Sequence, residues 1–595
     1  MIKSIIIPRY VRQGIKKNHL SFPKQMRFWG CDTETCSGDP HTLQFSQDGK
    51  SADLIYVDRD TVLDKFFEYI EPRLLYANPN IIYFHQLEFD LAVLLCKYHH
   101  LWLSSKKIEL KYKNWQITAV ISSVCFCFMK NLKNNKQLKL LDSRAFFTDC
   151  GKTGLKALME QLKLPVQKLE YQEKWSKQRV NTPEFETYAK QDAICEWHLA
   201  DWILKQHENY GLRVSVSSSQ FSARIFRHYF LEPDDLIPFP PGNMLKPALL
   251  SYHGGKNGFY CQGVTVVDKC YEADVISMYP YAMTQIPNFI AGRYVFQSEY
   301  TDEYEGVWCI SGKVSDCKYS CLFAHDFTPL RDEIIENIWV TSYELREALN
   351  TKEFLMTDCW GYVWIPDRVA RNPFKDFVMH FFNKKNTTDK HKFPSEYLLY
   401  KICMNSLYGK LIQTVEDETP DRETPDYIID ERSDDIVKNK RKQYWFKAGG
   451  LFNPFIATLI TGFARVKLHQ LEHQYKALHS STDSIKTVIK PKPSAGLGGL
   501  SIETTGRCIL LRNKLYLHYD ESGKLTKYAL HGFQGRPDLL LKMFEKKKTK
   551  YTINRMFRVR EAFRQKKKAL DFCEVDRKLD IDFSKIYYIK GVEGK

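Results

Sequence analysis

The sequence predicts a multidomain protein of mixed α/β and α+β class. At 595 residues the chain is too long for one compact core, and about three to five domains or subdomains follow from its length. A hydrophobic content of 44% with 14% aromatic is that of a folded chain rather than a disordered one. Through the first 212 residues, short apolar runs at 27–31, 81–84, 120–128 and 137–141 alternate with helical patterns, which reads as a mixed sheet with helices.

The first domain carries a set of carboxylates. Asp32-Thr33-Glu34 follows an apolar strand, so strand alternation turns both acids to one side, as shared metal ligation needs. Asp90 closes the segment 84–90 as a second acidic site. Tyr188 and Asp192 stand four apart in the helix-like run 183–197 and share a face. Four acids and a tyrosine so arranged could hold two metals and orient a water. A boundary is expected near Tyr210-Gly211, and Pro238-Phe239-Pro240-Pro241-Gly242 reads as a rigid loop before the second region.

That second region holds three further segments. Asp274 opens Asp274-Val275-Ile276-Ser277-Met278-Tyr279-Pro280, and Ser480-Ser481-Thr482-Asp483-Ser484 lies at a turn between strand-like runs. A lone aspartate at a strand end is ordinarily structural or solvated, but two of them can bridge a pair of hard cations about 3.5–4 Å apart, the arrangement phosphoryl transfer uses. Between them, Lys401 and Tyr408 are seven residues apart, two turns of an expected helix, with Asn405 at the intervening turn. Lys401 is placed to neutralise phosphate charge and Tyr408 to pack on a base pair, with Gly409 permitting close backbone approach. Asn405-Ser406 and Tyr408-Gly409 are poor choices for a helix that only packs. Tyr279 could stack beneath a sugar and exclude a 2′-hydroxyl.

Charge and composition are consistent with a polyanionic partner. Lys plus Arg exceed Asp plus Glu by 87 to 71, giving +16. Twelve Lys and Arg lie between Lys542 and Lys568 against Glu545 and Glu561 alone, a candidate grip on a duplex backbone. The segment 416–435 is acidic, and Lys438, Lys440, Arg441 and Lys442 follow it, the pattern of a charged hairpin over a groove. The basic N-terminus, from Lys3 to Arg27, reads as a first strand and loop with little chain to spare for a removable leader. No apolar stretch has the length of a membrane span. The 16 Cys are scattered, and Cys125-x-Cys127 and Cys317-x-x-x-Cys321 lack a second pair at zinc-finger spacing, so free thiols in a reducing compartment are expected.

The three segments of the second region resemble motifs A, B and C of family B DNA polymerases, specifically the protein-primed branch of phages and linear plasmids. Tyr252-His253-Gly254-Gly255 is similar to that branch's Tyr-x-Gly-Gly link, Thr461-Gly462-Phe463-Ala464-Arg465 to its Thr-x-x-Ala-Arg, and Lys514-Leu515-Tyr516 to its Lys-x-Tyr. The resemblance covers nearly the whole chain. It implies an RNase H-like exonuclease domain (1–212) followed by a right-hand polymerase. The polymerase parts are palm (213–285), an insertion that helps dock a terminal protein (286–378), fingers (379–413), a second insertion for processivity and strand displacement (414–446), palm again (447–540) and thumb (541–595).

It also implies roles for residues. Asp274, Val275 and Asp483 are the expected polymerase metal ligands. Asp32, Glu34, Asp90 and Asp192 are those of a 3′-5′ exonuclease, in which Tyr188 and Lys168, from Lys168-Leu169-Glu170-Tyr171, take catalytic parts. Tyr279, Lys401, Asn405, Tyr408 and Lys410 are expected at the nucleotide. Tyr252, Gly254, Gly255, Thr461, Arg465, Lys514 and Tyr516 are expected at DNA. The implied cofactor is Mg²⁺, with Mn²⁺ as the alternative, in two-metal sites of both domains. The implied partners are template and primer DNA, deoxynucleotides and a terminal protein that supplies the priming hydroxyl, with the polymerase itself a monomer and no membrane involved. A phage origin implies the bacterial cytoplasm, a linear-plasmid origin an organelle or cytoplasm. Two departures stand out: Ser481 occupies the first Asp position of motif C, and Gln86 the place of an Asn that contacts single-stranded DNA. The other readings are a nucleic-acid-primed or primer-independent family B polymerase, and a DNA-binding protein or nuclease whose polymerase site has decayed at Ser481.

Overall fold

The structure, a computed structural model, describes residues 4–6, 12–13, 22–104, 107–148, 153–169, 180–232, 235–367, 371–417, 428–429, 436–437, 445–564 and 569–590. Much of the N-terminal basic run, most of the acidic segment 416–435, the basic cluster Lys438 to Lys442, Glu170, Tyr171 and Lys566 to Lys568 lie outside the described residues.

The first domain is built on an eight-stranded sheet in the order Asp53–Tyr56, Asp39–Ser46, Arg27–Cys36, Asn80–Phe84, Gln137–Asp142, Phe126–Asn131, Trp115–Val120, Lys107–Tyr112. Asn80–Phe84 runs parallel to both its neighbours, and the remaining pairs are antiparallel. Its five residues are all buried, as the middle strand of a covered parallel unit requires. The run at 120–128 is not one strand. Residues 121–125 turn the chain between two antiparallel strands, because Ser122-Ser123 breaks the alternation that the flanking apolar residues suggested.

The helix Pro183–Asn209 lies on this sheet. Thr182 caps it by accepting from the Phe185 amide, and Pro183 opens its first turn, a favoured start. Gly30 makes the close approach: a Cβ there would lie 2.1 Å from the Trp197 backbone nitrogen. Any larger residue would push the helix off the strand that carries Asp32.

A second sheet orders Asn257–Phe259, His479–Ser481, Ser484–Thr487, Val264–Val275, Leu500–Arg512, Leu515–Tyr519 and Leu525–Leu530, with Ile586–Ile589 parallel to Val264–Val275. Between them in sequence, a four-stranded sheet (Gly292–Gln297, Phe354–Pro366, Gly306–Val314, Glu333–Thr341) has its own core around Trp308, Ile310, Leu345 and Phe354. The helix Pro454–Gln474, buried along most of its length, packs against both. Helices Pro373–Thr387 and Pro394–Asn405 pack on one another and on Met278–Gln285, the helix that follows Val264–Val275.

Near the C-terminus, Lys550–Met556 and Phe572–Lys578 pair antiparallel, and Val559 and Leu570 enter the core of the first domain. Part of the basic run is therefore spent within the protein: Arg560 Nε donates to the Trp102 carbonyl at 2.8 Å, Arg558 meets Glu88 at 3.5 Å, and Arg555 pairs with Glu561. Arg560 and Arg558 reach the first domain, Arg558 remaining 70% exposed, while the Arg555 pair lies within the tip. No helix among the described residues is long and apolar enough to cross a membrane.

Candidate active sites

Asp274 stands one residue from the end of Val264–Val275, directly opposite Ser484 in the antiparallel register. The hairpin turn Thr482-Asp483 follows His479–Ser481, and the Val275 amide donates to the Asp483 carbonyl at 2.8 Å. Strand pairing alone thus sets the two aspartates side by side. Burial and the neighbouring Asp483 push the Asp274 carboxyl up to about 8, and burial raises Asp483 as well. Two desolvated carboxylates that resist joint ionisation are what a divalent cation would relieve. Both motifs turn through left-handed residues, Ser277 at φ 55° and Thr482 at φ 60°. Such conformations are uncommon for non-glycine residues and cluster at working sites.

The aspartates open into a cleft of about 410 Å³ lined by Asp274 to Pro280, Lys385, Tyr397, Lys401, Asn405, Tyr408, Asp483, Ser501 and Glu503. The predicted helix through Tyr408 is interrupted. It ends at Asn405, and Tyr408 begins a 3₁₀ turn, Tyr408–Leu411, because Asn405-Ser406 ends α-helix more readily than it continues it. Lys401, Asn405 and Tyr408 line the same cleft nonetheless. Tyr408 stacks on Tyr279, ring centroids 4.3 Å apart and 3° from parallel. Gly255 seats this pair, since a Cβ there would lie 2.6 Å from the Tyr279 hydroxyl and 2.8 Å from Thr482 Cγ2. Gly409 has no such neighbour within 4 Å. Lys410 donates to Gln413 Oε1 at 2.6 Å, and burial followed by Arg224 pushes its ammonium down to about 8.

The residues expected at DNA divide by exposure. Gly254 is exposed, and Tyr252 and Lys514 are half-buried. Thr461, Arg465 and Tyr516 are interior, at 1%, 1% and 6%. Arg465 donates to Glu344 at 2.7 Å, to the His253 carbonyl at 2.6 Å and to that of Gly254 at 3.2 Å. It braces the Tyr252 to Gly255 loop from within and offers no exposed face to a nucleic acid. Tyr516 lies under the buried ammonium of Lys486, 3.9 Å from its ring centroid, and Lys486 pairs with Glu272. The helix and strand that carry Arg465 and Tyr516 turn them inward.

In the first domain, ligand atoms of Asp32, Glu34 and Asp192 lie within 4.8 Å of one another. Burial and Asp192 push Asp32 up to about 7. Asp90, 1% exposed in the helix Leu87–Leu94, accepts from Thr33 Oγ1 at 2.8 Å, and burial followed by the Asp32 charge raises its carboxyl. Lys168 pairs with Asp192, and its ammonium is 5.4 Å from the Tyr188 ring centroid. Asp90 Oδ2 and Asp192 Oδ1 are buried without a hydrogen-bond partner. Gln86 precedes the Asp90 helix at φ 74°, its amide held by Asp142.

A family model described as DNA polymerase type B, organellar and viral, matches residues 77–445. The chain belongs to this family. Among its relatives, the DNA-directed DNA polymerase of Enterobacteria phage PRD1 is 28% identical over 291 residues, 45% of this chain and 49% of that polymerase. The match thus spans about half the length of that relative. The fold agrees with phi29 DNA polymerase complexed with primer-template DNA (TM-score 0.66, 17% identity, 93% of this chain and 100% of that one) and with single-stranded DNA (0.64, 18%, 89% and 96%). The resemblance read from the motifs, to the phage and linear-plasmid branch of family B, is borne out.

Within this family B site, four residues escaped the sequence reading. Tyr397 stands one turn before Lys401 on the same helix, while Lys385 comes from the helix before it, whose register only packing fixes, its ammonium 5.8 Å from the Tyr397 ring centroid. Ser501 and Glu503 come from the strand beside Asp274, where Ser501 Oγ donates to Glu503 at 2.8 Å. Glu503 gives the cleft a third carboxylate where Ser481 supplies none. An alternating acid in a long strand carried no signal that would have set it apart.

Proposed function

We propose that this protein is a DNA-directed DNA polymerase with a 3′-5′ exonuclease, using Mg²⁺ or Mn²⁺. We assign residues 1–212 to editing and the remainder to palm, fingers, thumb and two insertions with the bounds given above. One observation carries the reading: Asp274 and Asp483, paired across strand and hairpin, face Lys401, Asn405 and Tyr408 over a single cleft. The metal fit rests on donor chemistry. Asp274 and Asp483 are hard oxygen donors whose proximity disfavours their ionisation, and the unpartnered Asp90 and Asp192 oxygens give the editing site the same character. Bound divalent cations supply activation of the attacking oxygen and neutralisation of phosphate charge. The chain's own residues do the rest. Lys401 and Lys385 present two cations to a triphosphate, the Tyr279–Tyr408 stack shapes the floor under base and sugar, and Val275 lies against the Asp274 metal position. Arg465, Thr461 and Tyr516 act on DNA indirectly, by fixing the Tyr252 to Gly255 loop and the strand after Lys514.

Family membership and the two insertions support protein priming by a terminal protein, strand displacement and replication of a linear viral or plasmid genome. The host cytoplasm is the expected location. The test is extension of a DNA-primed single-stranded circle with Mg²⁺ and four deoxynucleotides. Products longer than the circle, lost in Asp483→Ala, are expected. Primer shortened from its 3′ end without extension would overturn the polymerase assignment and make Ser481 the cause to revert. Transfer of a labelled deoxynucleotide onto a protein hydroxyl encoded by the same replicon tests the priming step separately.

A further inference from the structure

Away from both sites, a buried cluster joins the four-stranded sheet to the helix Pro454–Gln474. Cys321 comes from the loop after Gly306–Val314, Glu353 from the turn before Phe354–Pro366, and His469 and His473 from successive turns of the helix. Ligand atoms of Cys321, Glu353 and His469 lie within 4.8 Å of one another. Cys321 Sγ is 3.6 Å from Glu353 Oε2, and Glu353 Oε1 is 3.3 Å from His469 Nε2 and 3.0 Å from His473 Nε2.

The distances from Glu353 Oε1 to the two imidazoles approach those of neighbouring corners around a tetrahedral ion, although His473 lies outside the mutually close set of Cys321, Glu353 and His469. Ligand bonds of about 2.0–2.3 Å put adjacent donors roughly 3.3–3.8 Å apart. Two of the atoms make ion pairs without hydrogen-bond geometry. Glu353 Oε1 and His469 Nε2 are buried 3.3 Å apart as an ion pair, in a geometry that falls short of a hydrogen bond. Cys321 and His469 are fully buried and Glu353 is 5% exposed, whereas the His473 side chain is 44% exposed, which leaves an entry path on the helix side.

We propose that Cys321, Glu353, His469 and His473 bind one structural Zn²⁺ that fastens the four-stranded unit to the palm helix. Thiolate, imidazole and carboxylate together select zinc over the Mg²⁺ that carboxylates alone prefer. With four protein ligands the site is closed and takes no part in chemistry. The two histidines, four apart, share one helix face. Zinc at His469 Nε2 puts that ring's proton on Nδ1. The Lys256 ammonium, 3.3 Å from Nδ1 and already paired with Glu472, then gives up its contact with His469. The sequence hid the site because Cys321 and the pair His469-x-x-x-His473 are separated by 147 residues.

The test uses the full chain, purified in Mg²⁺ buffer, with bound metal measured by mass spectrometry and Co²⁺ exchanged for Zn²⁺. One zinc per chain is expected, with tetrahedral visible bands and a thiolate-to-cobalt charge-transfer band in the near ultraviolet. Cys321→Ser should abolish the charge-transfer band. His473→Gln, at a half-exposed position that leaves the core filled, should weaken zinc retention at least tenfold against a competing chelator. Chelation should lower the melting temperature, and Zn²⁺ but not Mg²⁺ should restore it. A chain that carries no zinc, or a cobalt spectrum without the thiolate band in the wild-type protein, would overturn the proposal even if Cys321→Ser fails to fold.

Discussion

The buried pair Arg465–Glu344 can be asked directly whether it serves DNA or structure. Arg465 and Glu344 side chains are 0% and 2% exposed, Nε to Oε1 at 2.7 Å. Burial works to protonate Glu344, and Arg465 overrides it, so the carboxyl sits below its ordinary value. Glu344 is also the third residue of a capping box, accepting from the Thr341 amide and hydroxyl at 3.1 and 2.7 Å. Replacing Arg465 with Met keeps most of the volume but leaves a buried charge and frees two backbone carbonyls. Breaking one side of such a pair costs about 3–5 kcal/mol. Glu344→Gln retains the cap and should cost a similar amount. In the double variant no charge is left unpaired, so its cost should fall short of the sum by about 1–3 kcal/mol, the range of coupling between contacting residues. Urea unfolding of the four proteins, with proteolysis of the Tyr252 to Gly255 loop as a local readout, measures the cycle. If Arg465→Met keeps full stability and loses only affinity for primer-template DNA, the bracing role is wrong and the arginine must reach solvent in the bound state.

The two sites should separate cleanly. Asp274→Ala or Asp483→Ala should abolish nucleotide addition while sparing degradation of single strands, and Asp32→Ala with Glu34→Ala should do the reverse, with synthesis by Asp483→Ala the outcome that sinks the metal assignment. Without metal, carboxyls raised to about 7 at Asp32 and about 8 at Asp274 bind protons more tightly folded than unfolded. Their contribution to stability is full below the ordinary carboxylate range and is lost progressively from there until pH passes about 7 to 8. Thermal melts in chelator should therefore fall over that window and recover with Mg²⁺, and a flat profile would count against the coupling. Tyr279→Val should relax discrimination against ribonucleotides in single-nucleotide incorporation, and unchanged selectivity would remove the steric role drawn from the Tyr279–Tyr408 stack.

What could be read ahead of the structure was local. Asp32 and Glu34 announce themselves by strand alternation, Tyr188 and Asp192 by helical spacing, Asp483 by a turn between apolar runs. These patterns depend on neighbours a few residues away, and the backbone honours them. Lys385, Ser501 and Glu503 were invisible because their place depends on how helices and strands far apart in sequence pack together. The inward turn of Arg465 and Tyr516 was missed for the related reason that a short motif states which residues recur but not which side of the helix or strand meets the core. The interrupted helix at Asn405-Ser406 lay within reach: the composition that made those residues odd for packing is also what ends the helix.

The helix Pro454–Gln474 bears on how proteins of this architecture can be recombined. One side closes over the second sheet. Gly462, where a Cβ would lie 2.4 Å from Thr341 Oγ1, Arg465 and His469 belong to the four-stranded unit, although each stands more than 100 positions after the residue it touches there. A graft that moves residues 286–378 into another scaffold therefore leaves its anchoring wall behind. The unit that travels intact is spatial and discontinuous: the inserted sheet together with one side of a helix that the chain writes much later.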